Sequence, residues 1–127
     1  MALTDHRGDA APAEAMAVTK ATLRAAEKLG LTNRALAAVI GLSEPSISRM
    51  KKGTFALERG AKSFELGVLF VRLYRSLDAI VSGDEKVARA WLLNDNLALG
   101  DKPLNLIQSV AGLMHVIQYL DARRAPV

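Results

Sequence analysis

The 127-residue chain contains no cysteine, which excludes disulfide cross-links and thiolate metal sites and fits a reducing compartment, the cytoplasm by default. Aromatic residues make up only 5% of it, and Leu and Ala dominate over the β-branched residues that strands favour. A strand-built core is thereby disfavoured, and the sequence is predicted to be all-α. An export signal is also missing: residues 1–14 carry Asp5, Asp9 and Glu14 where such a signal needs a basic end and an apolar stretch, and they read as a disordered tail. Long apolar runs are absent too. Pro103 to Leu120 is uncharged, but Asn105, Gln108, Ser109, Gly112, His115 and Gln118 interrupt it, so a buried segment is expected and no membrane partner. Catalytic groups are equally scarce. His6 lies in the tail, His115 lacks a carboxylate or cysteine at matching spacing, and no metal-ligand cluster or phosphate-cradling glycine loop occurs. No enzymatic activity, cofactor or metal is expected, and His115 reads as a packed or interface histidine.

The length suits one domain, or two small modules sharing a core. The formal charge of +4 is unevenly placed: Lys20 to Arg75 holds eleven basic residues against four acidic ones, whereas Gly83 to the end holds five of each. The positive field belongs to the first half, as expected of a half that approaches phosphate. Solvation of helix faces by lysine and arginine is the plainer reading of the same charges.

Apolar spacing predicts a helix over Ala15–Leu29, closed by Gly30. Thr32 caps a second, through Ile40. Ser43 and Pro45 open a third, which ends at Gly53. A long helix is predicted from Ser63 to Val81, with a stripe of Leu66, Leu69, Phe70, Leu73, Leu77 and Ile80. Val68, Val71 and Tyr74 widen that stripe beyond a single core face, so this helix is expected to be buried on two sides, and it is the candidate for a homodimer contact. Ser82 and Glu85 have capping-box spacing and start a helix carrying Val87, Ala90, Trp91 and Leu92. Pro103 opens a short helical turn. Ser109 caps the last helix, where Leu113, Val116, Ile117 and Leu120 recur at helical spacing.

The stretch from Arg34 to Gly53 meets the demands of a helix-turn-helix, against a generic helical hairpin. Ala37 supplies the small residue where the helices cross, Gly41 supplies the turn, and Leu36, Ile40, Leu42, Ile47 and Met50 fall at interior positions. If its second helix enters the major groove, Ser43, Glu44, Ser46, Ser48 and Arg49 face the bases, and Asn33, Lys51 and Lys52 lie near phosphates. Arg49 suits a bidentate contact to guanine. Glu44 is repelled by phosphate unless it accepts from a cytosine amine.

From Tyr74 to Leu120 the residues Trp91-Leu92, Ala98-Leu99-Gly100, Pro103-Leu104, Leu106-Ile107, Gly112, Val116 and Leu120 form a pattern that resembles the toxin-binding region of the Xre/MbcA/ParS antitoxins. Together with an Xre-like helix-turn-helix, the resemblance covers Thr19 to Leu120. It implies a type II toxin–antitoxin system in which this chain silences a RES-domain toxin that consumes NAD⁺, and the pair represses its own operon through operator DNA. In this family the antitoxin's C-terminal end blocks the toxin's active-site entrance. The sequence departs there: Asp121 to Val127 lacks the Arg-Ile pair and glycine often found. Asp101 stands where a second glycine is common, and Asn94 to Leu97 lacks the usual proline. The expected organisation is a head over residues 15–62, a connecting or dimerisation helix over 63–82, and a small helical toxin-binding module over 83–127.

The candidate toxin-binding residues are Trp91, Leu99, Pro103, Leu104, Gly112, Met114, Val116, Tyr119, Leu120, Arg123 and Arg124. Met114 and Tyr119 fall off the main apolar stripe of the last helix, where a monomer favours charge, although both also suit ordinary core. Arg123 and Arg124 either pair with a partner's carboxylates or complement the helix dipole. A dimeric helix-turn-helix repressor without a toxin partner is the rival function.

Overall fold

The computed structural model describes the backbone of residues 5–124 and the side chains of residues 13–124. Among these lie helices α1 (Asp5–Leu29), α2 (Asn33–Ile40), α3 (Glu44–Lys52), α4 (Lys62–Ile80), α5 (Glu85–Leu93), α6 (Pro103–Leu106) and α7 (Val110–Arg124). The expected all-α fold is what the chain adopts. Its start differs, because α1 begins at Asp5, inside the segment read as a disordered tail. Alanine has the highest helix propensity, and Ala10, Ala11 and Ala13 carry the helix backwards from Ala15. Residues 1–4 of that reading lie outside the described residues.

The punctuation of α2 and α3 follows from side-chain chemistry. Thr32 Oγ1 accepts from the Ala35 N–H at 3.0 Å, and Ser43 Oγ accepts from the Ser46 N–H at 3.3 Å. Each satisfies a donor that the first helical turn leaves without a partner. Between the two helices Gly41 takes φ +72°, a left-handed conformation that other residues adopt only under strain. This turn lets Leu36, Ile40, Ile47 and Met50 meet in the interior, with Leu42 half-buried.

Helix α4 is the spine, with α1 against one side and α7 against another. Leu66, Phe70, Leu73 and Leu77 are buried there. The wide apolar surface read as a dimer contact is thus largely covered within one chain; Val68 and Ile80 are the large apolar residues of α4 left exposed. A single apolar cluster runs from Leu36 and Ile47 through Leu73 to Leu92, Ile107 and Ile117, so the two halves share one interior.

The start of α5 also departs from expectation. Asp84, not Ser82, caps it, its Oδ1 accepting from the Val87 N–H at 3.2 Å. Ser82 is drawn into the turn that closes α4, with φ +53°, and the Gly83 N–H donates back to the Asp78 carbonyl at 3.0 Å. With the cap shifted by two residues, α5 buries Ala88 and Leu92 and leaves Val87 and Ala90 exposed. Helix α5 docks on the end of α1: Arg89 Nε and Nη2 donate to the Lys28 and Glu27 carbonyls, each at 2.9 Å, and Lys28 pairs with Glu85 at 3.1 Å. The Lys28 carbonyl, which the last turn of α1 leaves without a backbone donor, is thereby satisfied by the other half of the chain, and the Glu27 carbonyl, which accepts from the Gly30 N–H at 3.1 Å, gains a second donor.

Candidate nucleic-acid and partner interfaces

The exposed side of α3 begins at Glu44 and continues through the half-buried Ser48 to Arg49, Lys51 and Lys52, while Ser43 stands exposed at its cap. Ser46, expected on this face, is only 8% exposed. Its hydroxyl lies 3.0 Å from Ser43 Oγ and accepts from Arg49 Nη2 at 3.0 Å. Ser46 therefore positions Arg49 instead of meeting a base. The Arg49 guanidinium also lies over the Phe55 ring, 5.8 Å from its centroid, a cation–π contact that holds the side chain while leaving it exposed. Lys51 Nζ donates to Asn33 Oδ1 and ties the end of α3 to the start of α2. Arg24, Asn33 and Lys51 line one groove of about 660 Å³ beside these helices, which adds Arg24 to the basic surface expected from sequence.

In the second half the candidate residues divide by burial. Leu99 and Pro103 are buried, and Val116 and Leu120 are at most 1% exposed. All four belong to the interior, Val116 and Leu120 on the α7 stripe that packs against α4, and Leu99 and Pro103 in the connection and short helix before it. Gly112 has a backbone task. A Cβ there would fall 1.9 Å from the Leu106 carbonyl oxygen, so the first turn of α7 crosses the end of α6 where no side chain fits. Ser109 Oγ accepts from the Gly112 N–H at 3.1 Å, the cap expected for the last helix. Leu104 is half-buried and lines a small apolar recess with Leu31, Leu92 and Leu93.

Three others form a tier. Trp91 of α5 and Tyr119 of α7 stack with centroids 6.3 Å apart at 22°, and Arg123 places its guanidinium 4.5 Å from the Tyr119 centroid. Both rings are half-buried and Arg123 is exposed, so the stack reaches from the core to the surface. Met114 is also half-buried. His115, expected to be packed or at an interface, is exposed.

Arg124 turns back on the chain. Its Nη1 donates to Ser76 Oγ at 3.1 Å, Ser76 Oγ donates to Asp121 Oδ1 at 2.8 Å, and Arg72 pairs with the other Asp121 oxygen. The Ser76 hydroxyl, with the Arg72 guanidinium behind it, holds the Asp121 carboxyl below its usual range against the opposing effect of partial desolvation. This clasp fixes the end of α7 to the middle of α4. Asp101 has a comparable local role where the resemblance leads one to expect glycine: its Oδ1 accepts from the Lys102 N–H at 2.6 Å and from Asn105 Nδ2 at 3.2 Å.

The exposed apolar side chains escaped the sequence reading. Among the described residues seven large apolar side chains are exposed, and five of them fall between residues 76 and 125, namely Ile80, Val87, Leu93, Leu97 and Val110. That concentration marks the second half as the stickier surface. Ile80 and Val87 fall at helical spacings that read as core, and Leu93, Leu97 and Val110 belong to no stripe, although a leucine directly after the polar Asn94–Asn96 run is a signal of a kind. Among the described residues no group of three or more His, Cys, Asp or Glu is placed to hold a metal ion, and no helix is long and apolar enough to cross a membrane.

Two family models match the chain. One, described as the antitoxin Xre-like helix-turn-helix domain, covers residues 9–72; the other, described as the antitoxin Xre/MbcA/ParS C-terminal toxin-binding domain, covers residues 76–125. The two ranges meet inside α4, the helix around which both halves pack. No curated protein matches the chain.

Proposed function

The chain belongs to the Xre/MbcA/ParS antitoxins, and on that premise we propose that it binds and neutralises a RES-domain toxin that consumes NAD⁺ while repressing its own operon. In this reading α3 enters the major groove as a homodimer, because one short recognition helix offers few base contacts and two-fold symmetry doubles them. Arg49 reads a guanine, Ser48 and Glu44 stand beside it, and Asn33, Ser43, Lys51 and Lys52 hold the phosphates. The partner covers the other end of the molecule, where Trp91, Leu104, Met114, Tyr119 and Arg123 reach the surface. Both tasks belong in the cytoplasm, where operator and NAD⁺ are found. The protein's contribution is occlusion and recruitment; the NAD⁺ chemistry is the partner's.

The observation that carries this reading is the division of surface chemistry over one shared core: basic groups around α3, and, among the described residues, five of the seven exposed large apolar side chains in the other half. Co-expression tests it. Induction of the protein encoded beside this chain's gene, on this proposal a RES-domain toxin, is expected to deplete cellular NAD⁺, and simultaneous production of this chain to preserve it. Equal depletion with and without the chain would refute the proposal and favour the repressor with no toxin partner.

A further inference from the structure

Leu97 is 99% exposed, well beyond the 56% of Leu93, the next most exposed large apolar residue. In a slack loop that would be unremarkable, but the turn that carries Leu97 is fastened. The Asn96 N–H donates to the Asp101 carbonyl at 3.3 Å, the Gly100 N–H returns to the Asn96 carbonyl at 2.8 Å, and the Leu99 N–H donates to Asn96 Oδ1 at 3.1 Å. Leu99, two residues on, is sunk in the core at 7% exposure. The turn therefore holds one leucine inside and presents the other outward on a pinned backbone, so little conformational freedom remains to be lost when that side chain meets a partner.

The surroundings narrow the choice of partner. Asp95 and Asp101, both exposed, flank Leu97, and carboxylates at that spot repel nucleic-acid phosphate. A second copy is a poor match as well. A convex tip does not complement itself across a two-fold axis, and insertion into a recess elsewhere on a second copy gives a head-to-tail contact that does not close. What fits is a concave apolar pocket rimmed by basic or N–H groups. The turn also lies within the matched toxin-binding range, residues 76–125.

We propose that Leu97 is an apolar anchor inserting into such a pocket on the toxin, with Leu93 at the base of the same connection covering the pocket's edge. This rests on the functional reading above and adds to it a contact in the turn between α5 and α6. The test is calorimetric titration of the full-length chain, as wild type, Leu97→Ala and Leu97→Asp, with the purified protein encoded beside its gene, on the functional reading above a RES-domain protein. Leu97→Ala is expected to weaken binding about tenfold and Leu97→Asp about a hundredfold, the scale set by burying one leucine side chain. Helicity, melting temperature and operator affinity should stay at wild-type values, because Leu97 touches none of the core. Binding of Leu97→Asp within about twofold of wild type overturns the anchor while leaving the toxin reading intact. A change in self-association in place of toxin affinity also overturns it, by giving the tip to a second copy. Failure of the wild-type chain to bind the RES-domain protein removes both proposals together.

Discussion

At the scale of single residues, Gly112 shows how a position that looks like a contact site can be an architectural one. A methyl group there would meet the Leu106 carbonyl oxygen at 1.9 Å and its carbonyl carbon at 2.7 Å, both backbone atoms that cannot rotate away. Gly112→Ala must separate α6 from α7, with an expected loss of about 2–3 kcal/mol, as for other overpacked interiors. Thermal denaturation should show a fall in Tm of roughly 10 °C; an unchanged Tm would mean that this crossing is looser than the geometry requires. Ser46 teaches the same lesson in the head. Its place near the start of the recognition helix suggests a base contact, but the hydroxyl faces inward and serves Arg49. In both cases the residue type was informative and its partner was not, because the partner is set by tertiary packing.

At the scale of elements, the sequence was most legible where backbone chemistry is local. Thr32, Gly41, Ser43, Gly53 and Ser109 each serve the boundary expected of them, since caps and left-handed turns depend on neighbours within four residues. The helix-turn-helix could be read for the same reason. Legibility failed at α5, a helix of nine residues, too short for periodicity to choose a face, where two acceptors two residues apart, Ser82 and Asp84, competed to be the cap. It failed also at the start of α1, where composition suggested a tail but alanine extended a helix. For α3 the arrangement of Arg49, Lys51 and Lys52 makes a separable prediction on a fragment from the chain's own promoter. Lys52→Ala should reduce the slope of log affinity against log salt by about one while keeping sequence preference, and Arg49→Ala should cost about 1–3 kcal/mol and relax that preference. Equal effects from both substitutions would argue against α3 as the reading helix.

At the scale of the whole molecule, one continuous core carries two surfaces of different chemistry. Helix α1 contributes to the head and is finished by Arg89 of α5, and α4 runs between α1 and α7. This unity was only half visible in the sequence. The charge asymmetry, the two motif regions and a core shared between two small modules were apparent, with residues 63–82 expected as a connecting or dimerisation helix; burial makes α4 the centre of a single interior. The exposed leucine at residue 97 was invisible for a related reason: apolar residues announce themselves by periodicity, and a turn has none. Separate duties on one core predict separate footprints. Amide hydrogen exchange of the full-length chain, measured alone, with the proposed RES-domain toxin and with promoter DNA, tests this most directly. Toxin should slow exchange across α5 to α7 and leave α2 and α3 unchanged, and DNA should do the reverse; protection of α3 by the toxin, or of neither region, would contradict the account.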